Sequence, residues 1–350
     1  MKAKLVAIDL AKRSFQVCVL GPDGKVLLNR KLTRERFGLW LKDLEPTRVA
    51  MEACATAHYW GQRLQAMGHE VRLVPAQHVK TFVRVHKSDR DDALAIAEAA
   101  QRPSIHFVPV KTVAQQDLQL LGRIRNAKTA ERTALINQAR GHAAEYGVVM
   151  PKSRAAFMTA LPEVLADAGN GLSPMARQAL ADLYDDIRAV DTRIEALLCQ
   201  LVGLAEQQPA FERLLTVPGF GPVVAAAFLA ALGSGRQFRR GRDVAAWLGL
   251  IPRRHGTGGS ITLQRITKNG DRDLRVALIH GARAVLRWVD RHEHARSQWL
   301  LGLQQRRGKH RTIVAFANKM ARIGWAIVTG EGAYERSRAF RPQPPRQAAA

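Results

Sequence analysis

Short apolar runs separated by polar turns predict alternating strands and helices over the first hundred residues. Five runs have the length and composition of strands: Leu5–Leu10, Ser14–Leu20, about 25–32, Arg48–Glu52 and Glu70–Val74. Helical patterns are expected near 34–44 and 57–67. The order, a three-stranded meander followed by alternating helices and strands, predicts a mixed α/β domain of the ribonuclease-H-like type, an assignment by analogy.

The middle of the chain reads as helical. Residues 112 to about 146 have apolar positions at helical spacing, and a second segment repeats apolar residues in alternating steps of four and three: Leu183, Ile187, Val190, Ile194, Leu197, Leu201 and Leu204. Such a repeat is typical of a coiled-coil seam. The seam could pair with the preceding helix of the same chain or with another chain, and we favour a contribution to oligomerisation.

Helical patterns return in the last third of the chain, at 243–250, 274–289 and 312–328, with a glycine-rich loop predicted at 251–260. The stretch after Gly330 is rich in Arg, Pro and Ala and is predicted to be disordered. We therefore expect four parts: an α/β domain (1–105), a helical coiled-coil region (106–208), a mainly helical C-terminal domain (209–330) and a disordered tail (331–350).

Charge and composition narrow the class of partner. The chain of 350 residues has 54 Lys and Arg against 30 Asp and Glu, a formal charge of +24, which favours nucleic acid over a membrane surface. Its three cysteines are far apart in sequence, so neither a zinc site nor a disulfide framework is expected. Without a signal peptide or a membrane-length apolar run, a reducing cytoplasm is the expected compartment.

Four carboxylates are the candidate chemistry of the first domain. Asp9 and Glu52 end two predicted strands, while Asp89 and Asp92 lie three residues apart after the plausible N-cap Ser88. Acids in a first helical turn also suit the helix dipole, so these two could simply begin a helix. A fold that brings four carboxylates together needs cations to hold them, and Mg²⁺ at such a site can act on a phosphodiester.

Two glycine-containing segments are the candidate chemistry of the C-terminal domain. In the turn Pro218-Gly219-Phe220-Gly221-Pro222, Gly219 and Gly221 would let backbone amides approach a DNA phosphate, as in a helix-hairpin-helix; a plain corner between helices fits equally well. In the later loop, Thr257 and Ser260 offer nucleophilic hydroxyls. Basic residues that could bind phosphate surround that loop: Arg253, Arg254, Arg265, Lys268 and Arg272.

Taken together, these motifs resemble the DEDD transposases of bacterial insertion sequences. The resemblance extends from Leu5 to Trp325 through AIDLAK, AMEA, KSDRDDALAIAE, TVPGFGPVVAAAFLAALG, VAAWLGLIPRRHGTGGS, RITKNGDRDLRVALIHGARAV and VAFANKMARIGWA. It implies a RuvC-like domain whose four acids bind Mg²⁺, and a C-terminal domain that supplies a serine nucleophile. Relatives have Ser-Ser-Gly-Gly or Ser-Thr-Gly-Gly here, whereas this chain has Gly256-Thr257-Gly258-Gly259-Ser260. The position within the motif favours Thr257 over Ser260 as the nucleophile. The departure from the motif also leaves open that this copy is inactive.

The resemblance also implies partners. Donor and target double-stranded DNA would be cut and rejoined through a covalent protein–DNA intermediate, guided by a bridging RNA from the element. Dimers would assemble into tetramers in the bacterial cytoplasm, on the nucleoid, with the site formed between chains. Two other functions stay open on the residues alone. One is a Holliday-junction endonuclease that uses water as nucleophile, and the other is a nucleic-acid-binding protein without catalysis.

Overall fold

The computed structural model describes residues 3–82, 88–257, 260–291 and 294–340, without the side chains of Thr257, Arg336 and Arg338. The chain divides into two units, Met1–Thr112 and Val113–Ala350. None of the described helices is both long enough and apolar enough to cross a membrane. All three cysteines are free thiols.

A five-stranded sheet is the centre of the first unit. Its strands are β1 (Leu5–Leu10), β2 (Ser14–Leu20), β3 (Val26–Thr33), β4 (Arg48–Glu52) and β5 (Glu70–Val74). Their spatial order is β3-β2-β1-β4-β5: the first three pair antiparallel, and β4 pairs parallel with both β1 and β5. The predicted strands, the meander and the mixed α/β class are therefore confirmed.

Helices cover both faces of this sheet. They are α1 (Arg34–Lys42), α2 (Ala57–Ala66), α3 (Ala76–Val79) and α4 (Asp89–Ala100). Leu5 and Ala7 of β1 pack into one core with Ile96 of α4, whereas Val6 and Ile8 belong to the core of the opposite face. Successive strand residues point to opposite faces, so β1 is buried on both sides.

The alanines of α4 explain how it reaches the sheet. Ala93, Ala97 and Ala100 are fully buried, and small side chains at these spacings let a helix approach a sheet closely. This close packing sets where the first turn of α4, which carries Asp89 and Asp92, lies over the sheet.

The second unit is mostly helical. Its helices are α5 (Val113–Glu145), α6 (Arg154–Ala166), α7 (Pro174–Glu206), α8 (Phe211–Leu215), α9 (Pro222–Leu232), α10 (Gly241–Trp247), α11 (Arg272–Arg287), α12 (Ala295–Arg307), α13 (Lys309–Thr329) and α14 (Arg336–Ala339), with a 3-10 turn at Val289–Arg291. One core joins α9, α11 and α13 through side chains such as Phe228, Leu278 and Phe316.

The heptad seam lies on α7 and packs within the same chain. Ile187, Val190, Ile194, Leu197 and Leu201 are buried on one side of the helix. Ile187 shares a core with Ile136 and Ala139 of α5, and Leu201 shares another with Leu118 of α5. The intrachain alternative is therefore the one that the structure contains. A role of α7 in oligomerisation stays a prediction.

The predicted loop at 251–260 is instead a two-stranded ribbon. Strand β6 (Pro252–Thr257) pairs antiparallel with β7 (Ser260–Ile266). Its side chains are exposed rather than alternately buried, so the period that identifies a half-buried strand is missing from the sequence. The pairing is local, across residues 258–259, which lie outside the described residues.

The tail also differs from expectation over its first ten residues. Residues 336–339 form α14, and Phe340 is buried against Trp299 and Phe316, with ring centroids 5.7 and 6.3 Å away. Hydrogen bonds from Arg213 to the carbonyls of Gly330 and Gly332, and from the Tyr334 N–H to Thr216, hold the segment that leads to this anchor. Residues 341–350 lie outside the described residues.

Candidate functional site

Asp9 and Glu52 occupy adjacent positions on neighbouring parallel strands. The register pairs Ile8 of β1 with Met51 of β4, so the two acids are the next residues on each strand. Paired strands lie about 4.8 Å apart. By alternation Asp9 lies on the face of Ala7, and Glu52 on the face of Ala50, which is the face that α4 covers. Both acids are half-buried.

Cys54 reports that these two carboxylates share one environment. Burial raises the pKa of the Cys54 thiol, and the negative charges of Glu52 and Asp9 raise it further. A thiol responds in this way only to charges close enough to oppose its own ionisation. The negative charges of Asp9 and Glu52 therefore both oppose ionisation of the same thiol, two residues after the end of β4.

The first turn of α4 brings the remaining two acids to the same face. Ser88 is the N-cap, and its Oγ accepts a hydrogen bond from the backbone N–H of Asp91 at 3.3 Å. Asp92 precedes the buried Ile96 by one turn, so it lies on the side of α4 that faces the sheet. Asp89 is exposed at the rim, where its Oδ2 lies 2.9 Å from the Lys31 ammonium.

A row of polar residues that the sequence did not reveal connects β1 to this turn. Gln16 of β2 pairs with Asp9 of β1 and with Lys31 of β3. Its side chain is only 5% exposed, and its Nε2 donates to Asn29 Oδ1 at 2.6 Å. Asn29 Nδ2 in turn donates to the carbonyl of Arg90, at 3.1 Å. The lone signal in the sequence is a glutamine at a buried position of an apolar strand.

These acids do not yet form a closed ligand set. Among the described residues, no group of three or more His, Cys, Asp or Glu is arranged to hold a metal ion. Asp9 and Glu52 lie side by side, Asp92 begins the overlying helix, and Asp89 is paired with Lys31. Mg²⁺ is commonly held by one or two carboxylates with several waters, so the chemistry of this donor set suits it.

The candidate nucleophiles lie at the tip of the β6–β7 ribbon. Thr257 and Ser260 form its last paired position, and Ser260 is exposed; the side chain of Thr257 lies outside the described part of the structure. His255 pairs with Thr262, which places both on the ribbon face of Ser260 by alternation.

The five basic residues assigned to phosphate binding are all exposed around this ribbon: Arg253, Arg254, Arg265, Lys268 and Arg272. Another basic residue near the ribbon, Arg275, is buried, and sequence reasoning did not identify it. Its Nη1 donates to the carbonyls of Leu248 at 3.1 Å and Asn269 at 2.7 Å, and burial lowers its pKa. Arg275 therefore joins the segments on either side of the ribbon.

The turn with Gly219 and Gly221 lies between α8 and α9 and is held by close backbone packing. Gly219 has a φ of +93°, and a Cβ there would come within 2.6 Å of Met320 Cε. A Cβ on Gly281 of α11 would overlap the carbonyl oxygen of Gly219. Gly219 and Gly281 are therefore required for the turn to sit against α11 and α13, whereas a Cβ on Gly221 would meet open space.

Comparison with known proteins agrees with these features. Residues 6–147 match a transposase domain family, the DEDD domain of IS110 elements, and residues 211–298 match the transposase IS116/IS110/IS902 family. The sequence is 44% identical to a probable family 20 transposase of Pseudomonas aeruginosa, over 95% of this chain and 99% of that protein.

Two further similarities widen the range of relatives. The transposase for insertion sequence element IS1111A of Coxiella burnetii is 40% identical over 95% of this chain and 91% of that protein. A pilin gene-inverting protein of Moraxella bovis is 23% identical over 94% of this chain and 96% of its own length.

Proposed function

Because this chain belongs to the IS116/IS110/IS902 family of transposases, enzymes that cut and rejoin DNA, we propose that Asp9, Glu52, Asp89 and Asp92 together hold Mg²⁺ beside a scissile phosphate. The observation that carries this proposal is the adjacency of Asp9 and Glu52 under the acid-bearing start of α4. The strand order supports a ribonuclease-H- or RuvC-type domain for this unit.

The four acids have different tasks in this proposal. Asp9 and Glu52 are held in place by sheet hydrogen bonds, so they provide a rigid pair of oxygen ligands. Asp92 would add a third ligand from the facing helix, and Asp89 would be the fourth, for which it would have to leave its contact with the Lys31 ammonium. Bound Mg²⁺ would stabilise charge on the phosphate and lower the pKa of an attacking hydroxyl.

We assign the attacking hydroxyl to Thr257 or Ser260, with the register of the motif favouring Thr257. The hydroxyl oxygen forms a bond to phosphorus, the bond from phosphorus to a deoxyribose oxygen breaks, and the departing oxygen gains a proton as the hydroxyl loses one. One phosphoester replaces another, so a freed DNA hydroxyl can reverse the step on a different strand. The exposed position of the ribbon supports this assignment, because its tip can reach into a site on a partner chain.

The wider assembly is also part of the proposal. A formal charge of +24 supports nucleic-acid partners, which we propose are donor and target duplexes and an element-derived bridging RNA. We propose that the chain acts as dimers that form tetramers. The domain functions follow the expected division into residues 1–105, 106–208 and 209–330, with DNA backbone contacts at Gly219 and Gly221 in helix-hairpin-helix fashion. The expected compartment is the bacterial cytoplasm, on the nucleoid.

A cleavage assay on supercoiled DNA that carries the element's ends tests the catalytic proposal. Asp9→Asn and Glu52→Gln should each lower cutting by at least about a thousandfold, whereas Asp23→Asn, an exposed acid in the β2–β3 turn, should cut normally. Full activity of Asp9→Asn would refute the metal site. A denaturant-resistant protein–DNA adduct should form in only one of the variants Thr257→Ala and Ser260→Ala, and the variant that loses the adduct identifies the nucleophile.

The same assay separates the alternatives. Undiminished cutting after both hydroxyls are removed would favour a water nucleophile, as in a Holliday-junction endonuclease. Calorimetry that finds no Mg²⁺ binding would favour a binding protein without catalysis. Sequencing of RNA that co-purifies from cells carrying the full element tests guidance, since a discrete element-derived RNA is expected and its absence would favour a protein that reads DNA directly.

A further inference from the structure

A basic stripe on the outer side of α11 ends in an exposed tryptophan. His280, Arg283, Arg287 and Arg291 recur at intervals of three and four residues, so they follow one side of the helix and the 3-10 turn after it. All four are exposed, and Trp288 has 44% of its surface exposed. The indole ring therefore offers part of its surface to solvent beside four exposed basic side chains.

Guanidinium groups surround the indole ring of Trp288. The Arg291 Cζ lies 4.1 Å from the ring centroid, and the Arg287 Cζ lies 5.4 Å from it. These distances are in the range of cation–π contacts. The sequence has no Asp or Glu from 274 to 289, and the one acid within the stripe is Asp290, beside Arg291. An aromatic face beside fixed positive charge is suited to a planar ligand that also carries negative charge.

An open cavity adjoins this tryptophan. Its volume is about 570 Å³, within the range of ligand pockets, about 300–1,000 Å³. Trp288 and His280 line one side, and Thr216, Gly219 and Gly221 line the other. The glycines bring backbone rather than side chain to the wall, so a flat group can enter between the turn and the indole ring.

We propose that Trp288 is a stacking platform for an unpaired nucleotide, with Arg287 and Arg291 binding the adjoining phosphates. Single-stranded nucleic acid is bound elsewhere by this combination of an aromatic face and a positively charged path. In an intact duplex both faces of each base are covered by neighbouring bases, so only a nucleotide outside the stack can use the ring. This inference requires a nucleic-acid partner but none of the four acids.

Fluorescence anisotropy of the full chain in EDTA tests the proposal without cleavage. The probes are a single-stranded DNA, a single-stranded RNA and a blunt DNA duplex of one sequence at one salt concentration. Trp288→Ala should weaken single-strand binding by about tenfold and change duplex binding less than twofold. Trp288→Phe should recover most of the lost affinity. Tyr146→Ala, which removes an aromatic ring with 43% exposure in the turn after α5, is the matched control.

Comparison of the two single-stranded probes identifies which nucleic acid supplies the nucleotide. A 2-aminopurine base in the preferred strand should lose fluorescence on binding to wild-type protein and to Trp288→Phe, but not to Trp288→Ala, which reports stacking independently of affinity. Equal weakening of all three probes by Trp288→Ala, or single-strand affinity equal to that of Tyr146→Ala, would overturn the proposal. Both results would leave the assignment of the four acids untouched.

Discussion

The ion pairs of Asp191 connect three helices of the second unit, and their removal has a calculable effect. Asp191 of α7 binds Arg132 of α5 through Nη1 at 2.8 Å and Arg154 of α6 through Nη2 at 2.5 Å. The carboxylate side chain is 14% exposed, Arg132 is 20% exposed and Arg154 is 48% exposed. The substitution Asp191→Asn keeps the shape of the side chain but removes its charge.

The expected loss lies between the values for exposed and buried ion pairs. Removing one partner of a buried pair costs about 3–5 kcal/mol, whereas an exposed pair contributes at most about 1 kcal/mol. Because solvent screens Arg154 but only slightly reaches Arg132, we expect Asp191→Asn to lower the free energy of unfolding by about 2 kcal/mol at pH 7. Urea denaturation of the full chain followed by circular dichroism measures this loss.

The pH dependence gives a second measurement on the same variant. Burial by itself would raise the pKa of Asp191, but the hydrogen bonds from Arg154 and Arg132 outweigh it and hold that pKa below its ordinary value. The stabilisation is therefore present above the unfolded pKa, about 3.9, and is lost as the pH falls through the folded pKa. The difference between wild type and Asp191→Asn should shrink below about pH 4.

Asp185→Asn is the matched control on the same helix. Asp185 is 77% exposed and lies 3.9 Å from Arg188, so its removal should change stability by less than about 0.5 kcal/mol. If Asp191→Asn and Asp185→Asn unfold at the same urea concentration at pH 7, or if the loss at Asp191 persists unchanged at pH 3, the reasoning about this network is refuted.

Three further substitutions test other parts of the structure. Gly281→Ala should lower the free energy of unfolding by about 2 kcal/mol or more, and with it the thermal midpoint, because the added Cβ would overlap the carbonyl oxygen of Gly219. Gly302→Ala, where the added Cβ meets open space, should not lower the midpoint, and equal midpoints for the two variants would contradict this packing. Burial lowers the pKa of His58 to about 4. The stabilisation that neutral His58 provides is therefore present above about pH 6.5 and is lost as the pH falls towards 4. His58→Gln should remove about 2 kcal/mol of the decrease in the free energy of unfolding between about pH 7 and pH 5, and an unchanged pH dependence of that free energy would count against this reasoning. Gln16→Leu should weaken Mg²⁺ binding about tenfold by calorimetry, since it breaks the hydrogen-bonded link from the sheet to α4, and unaltered affinity would exclude a positioning role.

Residue patterns within a few positions of one another were sufficient for the sheet and for the position of two acids. Short continuous apolar runs identified β1 and β4, and the last residue of each strand, or the one before it, is Asp9 or Glu52. The hydrogen bond that continues the Gln16–Asn29 link to the carbonyl of Arg90 joins two residues, Asn29 and Arg90, that are 61 positions apart, and no local pattern encodes such a distance. Sequence reasoning therefore found the acids but missed what supports them.

The ribbon and the seam show the same division. The exposed strands β6 and β7 have no buried face and hence no period to detect, although their glycines and hydroxyls marked the segment as chemically distinctive. The heptad of α7 predicted an apolar stripe but not the helix that covers it, because any helix with a complementary apolar face could pack there.

The sequence by itself determined the five strands of the first unit, the long helices, the excess of positive charge and the residue types available for chemistry, since these depend on local periodicity and composition. Only the tertiary structure decided that α7 packs against α5, that Asp9 and Glu52 lie side by side under α4, and that Trp288 faces an open cavity. Those outcomes depend on contacts between residues far apart along the chain, which form only when whole elements bury their apolar faces against one another.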